Sequence, residues 1–266
     1  MDSMTPADEN GTTPILTVED WRADIRLNRP VQHNRLEPAD IVAMRGILSE
    51  IEGREDVRVV VITGTGKSFS SGYHLGELGN SERKDEDSGS VSAFEDMTDA
   101  VENLRVPTIC ALNGGVYGGS TDLALACDFR IGVDLAKMFM PAARLGLHYY
   151  PGGLRRYVTR LGLGPAKKLF LTAQTVDAQE LLRIGYLDEV VSPDQLWPRV
   201  DALAATLASM APIAVQGMKW AMNGIARDEY DRATIEVSYR QAQESQDIKE
   251  GLAAWAEKRK PVFRGC

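Results

Sequence analysis

Apolar and polar residues alternate near the start of the chain, and further along apolar residues recur at helical spacing. Residues 15 to 28 predict two strands with a turn at Glu19 and Asp20, and residues 38 to 52 predict a helix. Residues 59 to 63 are β-branched throughout and almost wholly apolar. Such a run is typical of a strand that is covered on both faces in a parallel sheet.

The order of helix and strand is repeated along the middle of the chain. The pattern predicts a helix over residues 91 to 104, a strand over 108 to 112, a helix over 118 to 126 and a strand over 129 to 132. This alternation favours an α/β fold with right-handed crossovers.

The strand pattern ends after Val191, and helices are predicted over residues 193 to 210, 214 to 226 and 235 to 258. We therefore divide the chain into a flexible tail (1–13), an α/β core (14–195) and a C-terminal helical domain (196–266). The polar start lacks the basic region and apolar stretch of a secretory signal.

The charge and cysteine content narrow the function classes. A net charge of -8 disfavours nucleic acid or an anionic membrane as a partner, because both attract a basic surface. Three scattered cysteines do not form a disulfide framework or a metal site of recognisable spacing. No segment has eighteen consecutive apolar residues. We expect a cytoplasmic protein that binds no metal.

A glycine-rich segment, Asn113-Gly-Gly-Val-Tyr-Gly-Gly-Ser-Thr-Asp122, leads from a predicted strand into an apolar helix. Glycines at 118 and 119 let a ligand oxygen approach the free N–H groups at the helix start, where a developing oxyanion is stabilised. The alternative is a tight turn that serves packing alone. The spacing does not match a dinucleotide fingerprint, and the lysine of a phosphate loop is missing.

A second turn of this kind, from Gly64 to Leu75, follows the predicted buried strand at residues 59 to 63. Gly72 frees the chain to turn, and the N–H groups that follow it are candidates to face the same ligand.

Several motifs occur in the order known from the crotonase, or enoyl-CoA hydratase/isomerase, superfamily. They are Leu27-Asn-Arg-Pro30 with Asn34, Ser68-Phe-Ser-Ser-Gly72, Asn113-Gly114, Gly118-Gly119, Leu123-Ala-Leu-Ala-Cys-Asp128 and the segment Glu250 to Pro261. The chain resembles this family from about Leu16 to Phe263. The resemblance implies a crotonase-like spiral of repeated ββα units, a C-terminal helical oligomerisation domain, and a homotrimer or homohexamer.

The resemblance also implies an acyl-CoA thioester substrate, with coenzyme A as part of the substrate and no permanently bound cofactor. The family's oxyanion hole consists of two backbone N–H groups, and the matching positions are Tyr73 and Gly119. The positions that correspond to CoA or substrate contacts are Ser71, Leu75, Tyr117, Ala142, Trp255 and Lys258. For Trp255 and Lys258 the alternative is a solvated helix end.

The sequence departs from the family at both of the glutamates that hydratases use. Asp122 stands at the first, as a predicted base or water-orienting group, although an acidic residue there also suits the helix dipole. Ala142 stands at the second.

Tyr149 is the other catalytic candidate, because Gly146-x-x-Tyr149 resembles the pattern of methylmalonyl-CoA decarboxylase-like members. The alternative for Tyr149 is ordinary packing. For His148 and Tyr150 we expect wall packing.

These observations predict an enzyme of lyase type that stabilises a thioester enolate or oxyanion, with enoyl-CoA hydration as the first hypothesis. The missing second glutamate and Tyr149 leave decarboxylation or thioester hydrolysis open. A non-catalytic acyl-CoA-binding protein is the third alternative.

Overall fold

The computed structural model describes residues 11–73 and 91–266, and this part of the chain forms ten strands in two sheets with ten α-helices. The strands are β1 (Ile15–Glu19), β2 (Arg22–Leu27), β3 (Val59–Gly64), β4 (Ser68–Ser70), β5 (Thr108–Leu112), β6 (Gly115–Tyr117), β7 (Phe129–Val133), β8 (Lys137–Phe139), β9 (Val176–Asp177) and β10 (Glu189–Val191). The helices are α1 (Pro38–Glu52), α2 (Val91–Asn103), α3 (Ser120–Ala126), α4 (Pro151–Leu161), α5 (Leu163–Thr172), α6 (Ala178–Arg183), α7 (Leu196–Ala208), α8 (Pro212–Arg227), α9 (Arg232–Glu244) and α10 (Gln246–Glu257).

A strand–strand–helix unit is repeated three times in succession: β3, β4 and α2; then β5, β6 and α3; then β7, β8 and α4. The first strands of the units are neighbours in the larger sheet, of order β1-β2-β3-β5-β7-β10, and the second strands are neighbours in the smaller one, β4-β6-β8-β9. Within each sheet these neighbours pair in parallel. The predicted α/β spiral of ββα units is therefore confirmed.

The most apolar runs of the sequence lie in the middle of the larger sheet. Every residue of β3 and β5 is buried, as expected for strands covered on both faces. β1 and β2 form the predicted two-strand ribbon, which is antiparallel, but its turn lies one residue later than predicted, at Asp20 and Trp21 with φ values of 47° and 68°. A two-residue turn in which both φ values are positive has a backbone twist that fits the right-handed twist of the two strands.

Two asparagines from the sequence motifs hold the connection between β3 and β4. The side-chain nitrogen of Asn34 donates to the carbonyls of Thr65 and Ser68, both at 2.9 Å. The amide oxygen of Asn113 accepts from the N–H of Gly64 at 3.2 Å, and its nitrogen donates to the carbonyl of Gly66 at 2.9 Å. These bonds fix where β4 begins, and hence where the chain after β4 lies.

The C-terminal helices do not form one uniform appendage. Helix α7, which begins at the predicted boundary, packs on β3, β5 and β7 of the larger sheet. Helix α8 is attached through Lys219, whose buried ammonium donates to Asp128 at 2.6 Å and to the carbonyl of Val106 at 2.9 Å. The domain boundary at residue 196 stays a prediction.

The predicted single helix over residues 235 to 258 is wrong, because the chain breaks at Ser245 into α9 and α10. Ser245 has an extended backbone and its hydroxyl accepts from the N–H of Ile248 at 3.2 Å, so it caps a new helix. The apolar spacing continues across the break, which is why periodicity did not show it.

Among the described residues, no single helix has both the length and the apolar character needed to cross a membrane. One bent pair, Pro193–Ala208 with Pro212–Arg227 at 105°, meets that criterion by length and composition only.

Candidate active site

The two glycine-bearing turns lie side by side because β4 and β6 pair in parallel, which places their carboxyl ends at the same edge of the smaller sheet. A Cβ built on Gly72 would lie 3.2 Å from the backbone nitrogen of Gly119 and 2.5 Å from the carbonyl oxygen of Tyr117. The segment that leads to Tyr73 therefore touches the segment that leads to Gly119. The predicted oxyanion hole of Tyr73 and Gly119 requires this proximity, because both N–H groups must reach one oxygen.

The backbone at both turns has a conformation that favours glycine, with φ of +93° at Gly72 and +54° at Gly118. The hydroxyl of Ser120 braces the second turn, at 2.7 Å from the carbonyl of Tyr117 and 3.0 Å from that of Ser70. Gly119 precedes the first residue of α3, and its N–H donates no hydrogen bond within the described part of the chain. This N–H is available to a ligand oxygen at a helix start.

A pocket of about 420 Å³ opens in front of the two turns, and no Asp, Glu, Lys or Arg occurs among the described residues that line it. These residues are Ser71, Tyr73, Phe94, Tyr117, Gly118, Gly119, Phe139, Met140, Pro141, Ala142, Leu145, Leu147, His148, Tyr149 and Tyr150. Six of them are aromatic. Such a volume and such a wall suit a small apolar ligand.

Most of the predicted site residues meet in this pocket. Its lining includes Tyr73 and Gly119 of the predicted oxyanion hole, the candidate Tyr149, and the predicted substrate contacts Ser71, Tyr117 and Ala142. Leu75 lies outside the described residues.

Trp255 and Lys258 do not join this group within one chain. Trp255 lies on α10 with 87% of its surface exposed, and Lys258 is the residue directly after that helix. Their role as CoA contacts stays a prediction.

The carboxylate of Asp122 lies behind the pocket wall rather than in it. Asp122 is completely buried. Arg156 donates hydrogen bonds to both of its carboxylate oxygens, from Nε to Oδ1 at 3.0 Å and from Nη2 to Oδ2 at 2.6 Å. The hydroxyl of Tyr150 donates to Oδ2 at 2.5 Å. Tyr150 thus stands between Asp122 and the pocket.

Tyr149 and Tyr150 form a stacked pair at the pocket wall, with ring centroids 4.3 Å apart and hydroxyls at 3.3 Å. Burial, and next the negative charge of Asp122, raises the pKa of Tyr150 well above its ordinary value. Burial is also the main cause that raises the pKa of Tyr149. Both phenols therefore remain protonated at neutral pH.

No carboxylate replaces the missing second glutamate at the pocket wall formed by the described residues. Ala142 is only 7% exposed and begins a short 3-10 turn, Ala142–Leu145, that contributes Ala142 and Leu145 to the wall. Among the described residues there is also no group of three or more His, Cys, Asp or Glu side chains that could hold a metal ion.

The contacts of Tyr150 and Arg156 with Asp122 were not predicted from the sequence. Tyr150 was expected to pack only, and Arg156 received no role. One signal for Arg156 was available, because Gly153, Tyr157 and Leu161 mark the buried face of α4 and residue 156 falls on that face. A buried arginine requires carboxylate partners.

An α/β spiral whose glycine turns and helix start frame an apolar pocket is the architecture of crotonase-type enzymes. A model of the family described as enoyl-CoA hydratase/isomerase matches residues 22–266, so the chain belongs to that family. It is accordingly an acyl-CoA-binding enzyme.

Individual proteins with this similarity include hydratases from three bacteria. The crotonyl-CoA hydratase of Syntrophomonas wolfei is 34% identical over 253 residues, which cover 94% of this chain and 96% of that protein. The short-chain-enoyl-CoA hydratase of Clostridium acetobutylicum is 34% identical over 253 residues, 92% of this chain and 95% of that protein. A crystal structure of an enoyl-CoA hydratase from Bacillus anthracis superimposes with a TM-score of 0.86 at 33% identity, covering 96% of this chain and all of that one.

Replacement of Gly72 by alanine tests the contact between the two turns. The Cβ would meet the carbonyl oxygen of Tyr117 at 2.5 Å on a backbone with φ of +93°, so the turns must separate. We expect about 1–3 kcal/mol lower stability, and turnover of an acyl-CoA substrate about 10²- to 10³-fold lower. Gly185→Ala is the control, since Gly185 has φ of +77° but no atom within 4 Å of the added Cβ. It should lose stability through strain and retain turnover; equal turnover in both variants contradicts the account.

Proposed function

We propose that this enzyme is an enoyl-CoA hydratase-like lyase, which adds water to an α,β-unsaturated acyl-CoA thioester through an enolate. One observation carries the proposal: a single apolar pocket is lined by the two glycine turns and by a phenol, Tyr150, that is hydrogen-bonded to a buried carboxylate, Asp122.

The thioester oxygen binds the N–H groups of Tyr73 and Gly119. These donors are fixed by the turns before the reaction begins, so they stabilise the negative charge that develops on this oxygen without reorganisation. The adjacent start of α3 adds a favourable dipole.

Tyr150 and Asp122 move the proton in two steps. When water attacks the β-carbon, the phenol oxygen takes a proton from water and passes its own proton to Oδ2 of Asp122, and the electron pair of the double bond moves onto the thioester as an enolate. In the second step Asp122 returns the proton to the phenol oxygen, and the phenol gives its proton to the α-carbon. The elements of water have then been added, and both side chains are restored.

The pocket wall supports an apolar acyl group. Its described residues carry no ionised carboxylate, ammonium or guanidinium, and six of its side chains are aromatic. An ionic acyl group would lose its hydration there without a compensating partner.

Decarboxylation is the second candidate, and Tyr149 favours it. Gly146 and Tyr149 have the spacing found in decarboxylase-like members, and Tyr149 lies in the pocket wall as a protonated phenol. In this reaction the bond between the α-carbon and a carboxylate breaks, carbon dioxide leaves, and the electron pair forms the enolate. Tyr149 then gives its proton to the α-carbon, and its phenolate takes a proton from solvent.

We further propose that the enzyme is a cytoplasmic homotrimer or homohexamer and that Trp255 and Lys258 contact CoA in the assembly. Large apolar side chains on the C-terminal helices are more than half exposed in the single chain. They include Met218, Met222, Ile225, Val237, Tyr239, Leu252 and Trp255. An apolar surface of this kind marks a contact with another protein chain.

Light scattering tests the assembly. We expect a particle of three or six times the chain mass of 29.2 kDa. A mass that stays at one chain over a wide concentration range would contradict the proposal, and the exposed residues on α8 to α10 would then need another partner.

Replacement of Tyr150 by phenylalanine tests the proton-transfer role. The ring is retained and only the hydroxyl is lost, so kcat should fall about 10²- to 10⁴-fold. Tyr157→Phe is the matched control: Tyr157 is buried, its hydroxyl bonds to Thr121 at 2.6 Å beside Asp122, and it does not line the pocket. This control should lose about 1 kcal/mol of stability and little turnover. Wild-type turnover in Tyr150→Phe argues against the proposed function.

Restoring the second carboxylate tests the choice of reaction. Because only Tyr150 and Asp122 transfer protons in this proposal, the wild type should hydrate crotonyl-CoA slowly. Ala142→Glu should raise the hydration rate by providing another proton donor. Ala142→Gln controls for the added bulk. Hydration, carbon dioxide release and CoA release are measured in parallel. Carbon dioxide release is measured with a 2-carboxyacyl-CoA substrate. Carbon dioxide release without hydration favours decarboxylation, CoA release favours hydrolysis, and binding without any product favours a non-catalytic role.

A further inference from the structure

A completely buried arginine on α4 connects the proposed proton-transfer pair to the rest of the protein. Arg156 binds Asp122 through two separate nitrogens, one to each carboxylate oxygen. Two parallel N–H···O bonds fix the plane of a carboxylate as well as its position. Asp122 therefore cannot turn its oxygens away from Tyr150 without breaking one of these bonds.

Arg156 is itself held in place from the other side. Its Nη1 donates to Asp99 and lies 3.3 Å from an oxygen of Glu102. Glu102 also pairs with Arg155 at 2.7 Å and with Arg227 at 2.7 Å, so the network joins α2, α4 and α8. Although burial opposes ionisation, the hydrogen bond from Arg155 and the nearby guanidinium charges lower the pKa of Glu102 to about 2. Its charge is permanent at neutral pH.

Stability alone is a weak reason for this arrangement. Burying an arginine and two carboxylates requires stripping their water, and well-packed apolar side chains often stabilise such a position equally well or better. The geometry, in contrast, suits orientation: Oδ2 of Asp122 accepts from both Arg156, at 2.6 Å, and Tyr150, at 2.5 Å. The guanidinium thus determines where the phenol hydrogen bond points.

We propose that Arg156 is a positioning residue for proton transfer: it holds Asp122 so that the hydrogen bond from Tyr150 to Oδ2 keeps the phenol oxygen at the pocket wall, where it takes up and returns the proton. The inference rests on the proposed function, in which Tyr150 moves the proton. Arg156 does not line the pocket, so it acts through Asp122 and Tyr150 rather than on the substrate.

Two variants of Arg156 and one control test this role. Arg156→Lys keeps the positive charge but cannot form the bidentate pair of hydrogen bonds with Asp122. Arg156→Gln removes the charge. Arg155→Gln is the matched control, because Arg155 is on the same helix and in the same network but pairs with Glu102 and not with Asp122. If the glutamine variant does not fold, Arg156→Lys decides the outcome. Melting temperatures are recorded for each variant.

We expect kcat to fall about 10²-fold in the Arg156 variants, as for a small misplacement of a reacting group, while KM stays within about threefold. The control should keep wild-type kcat even if its melting temperature falls. In a Tyr150→Phe background the same Arg156 change should lower kcat no further, because the two residues act as one unit.

Two results would overturn the positioning role. The first is a wild-type kcat in Arg156→Lys. The second is that the Arg156 change lowers kcat by the same factor in the wild type and in Tyr150→Phe, because Arg156 would then act on folding alone. A third result concerns the proposed function itself: if Tyr150→Phe retains wild-type kcat, no proton transfer through this phenol exists for Arg156 to support. The two failures are therefore distinguishable.

Discussion

The carboxylate of Asp122 is completely enclosed by protein, and an ionised group in that position must find its charge partners within the chain. Arg156 supplies the positive charge, and Asp99 and Glu102 in turn compensate Arg156. This requirement ties α2, α3 and α4 together behind the pocket. Tyr150, at the start of α4, is the point at which the network meets the substrate space.

The pocket separates two tasks that enolate chemistry requires. In the proposed mechanism, backbone N–H groups at the carboxyl ends of β4 and β6 face the oxygen that becomes negative; strand pairing and glycine turns set the place of these ends. In the same proposal, side chains on the other wall transfer the proton. Because Ala142 contributes no carboxylate to the pocket wall, we assign the second task to the phenol of Tyr150 and to the residues that hold it.

Local sequence patterns predicted the fold well because they encode local physics. The β-branched run of β3 and the glycines before α3 determine a buried strand and a helix start within a few residues, and both were found. Long-range contacts were not predictable in the same way: Arg156 follows Asp122 by 34 positions, and nothing in the spacing pairs them. The sequence therefore located Asp122 at the correct helix start but could not show that Tyr150 stands between it and the pocket. The break at Ser245 was missed for a related reason, since apolar periodicity reports a buried face and not the continuity of a helix.

Exchange of the α-hydrogens of a saturated acyl-CoA in heavy water measures proton transfer without reference to the overall reaction. The thioester enolate forms and is reprotonated by deuterium, and mass spectrometry of the recovered thioester counts the exchange. We expect the wild type to catalyse this exchange and Tyr150→Phe to slow it about 10²-fold or more, with the thioester still bound. Equal exchange rates in the two proteins would contradict the assignment of proton transfer to Tyr150.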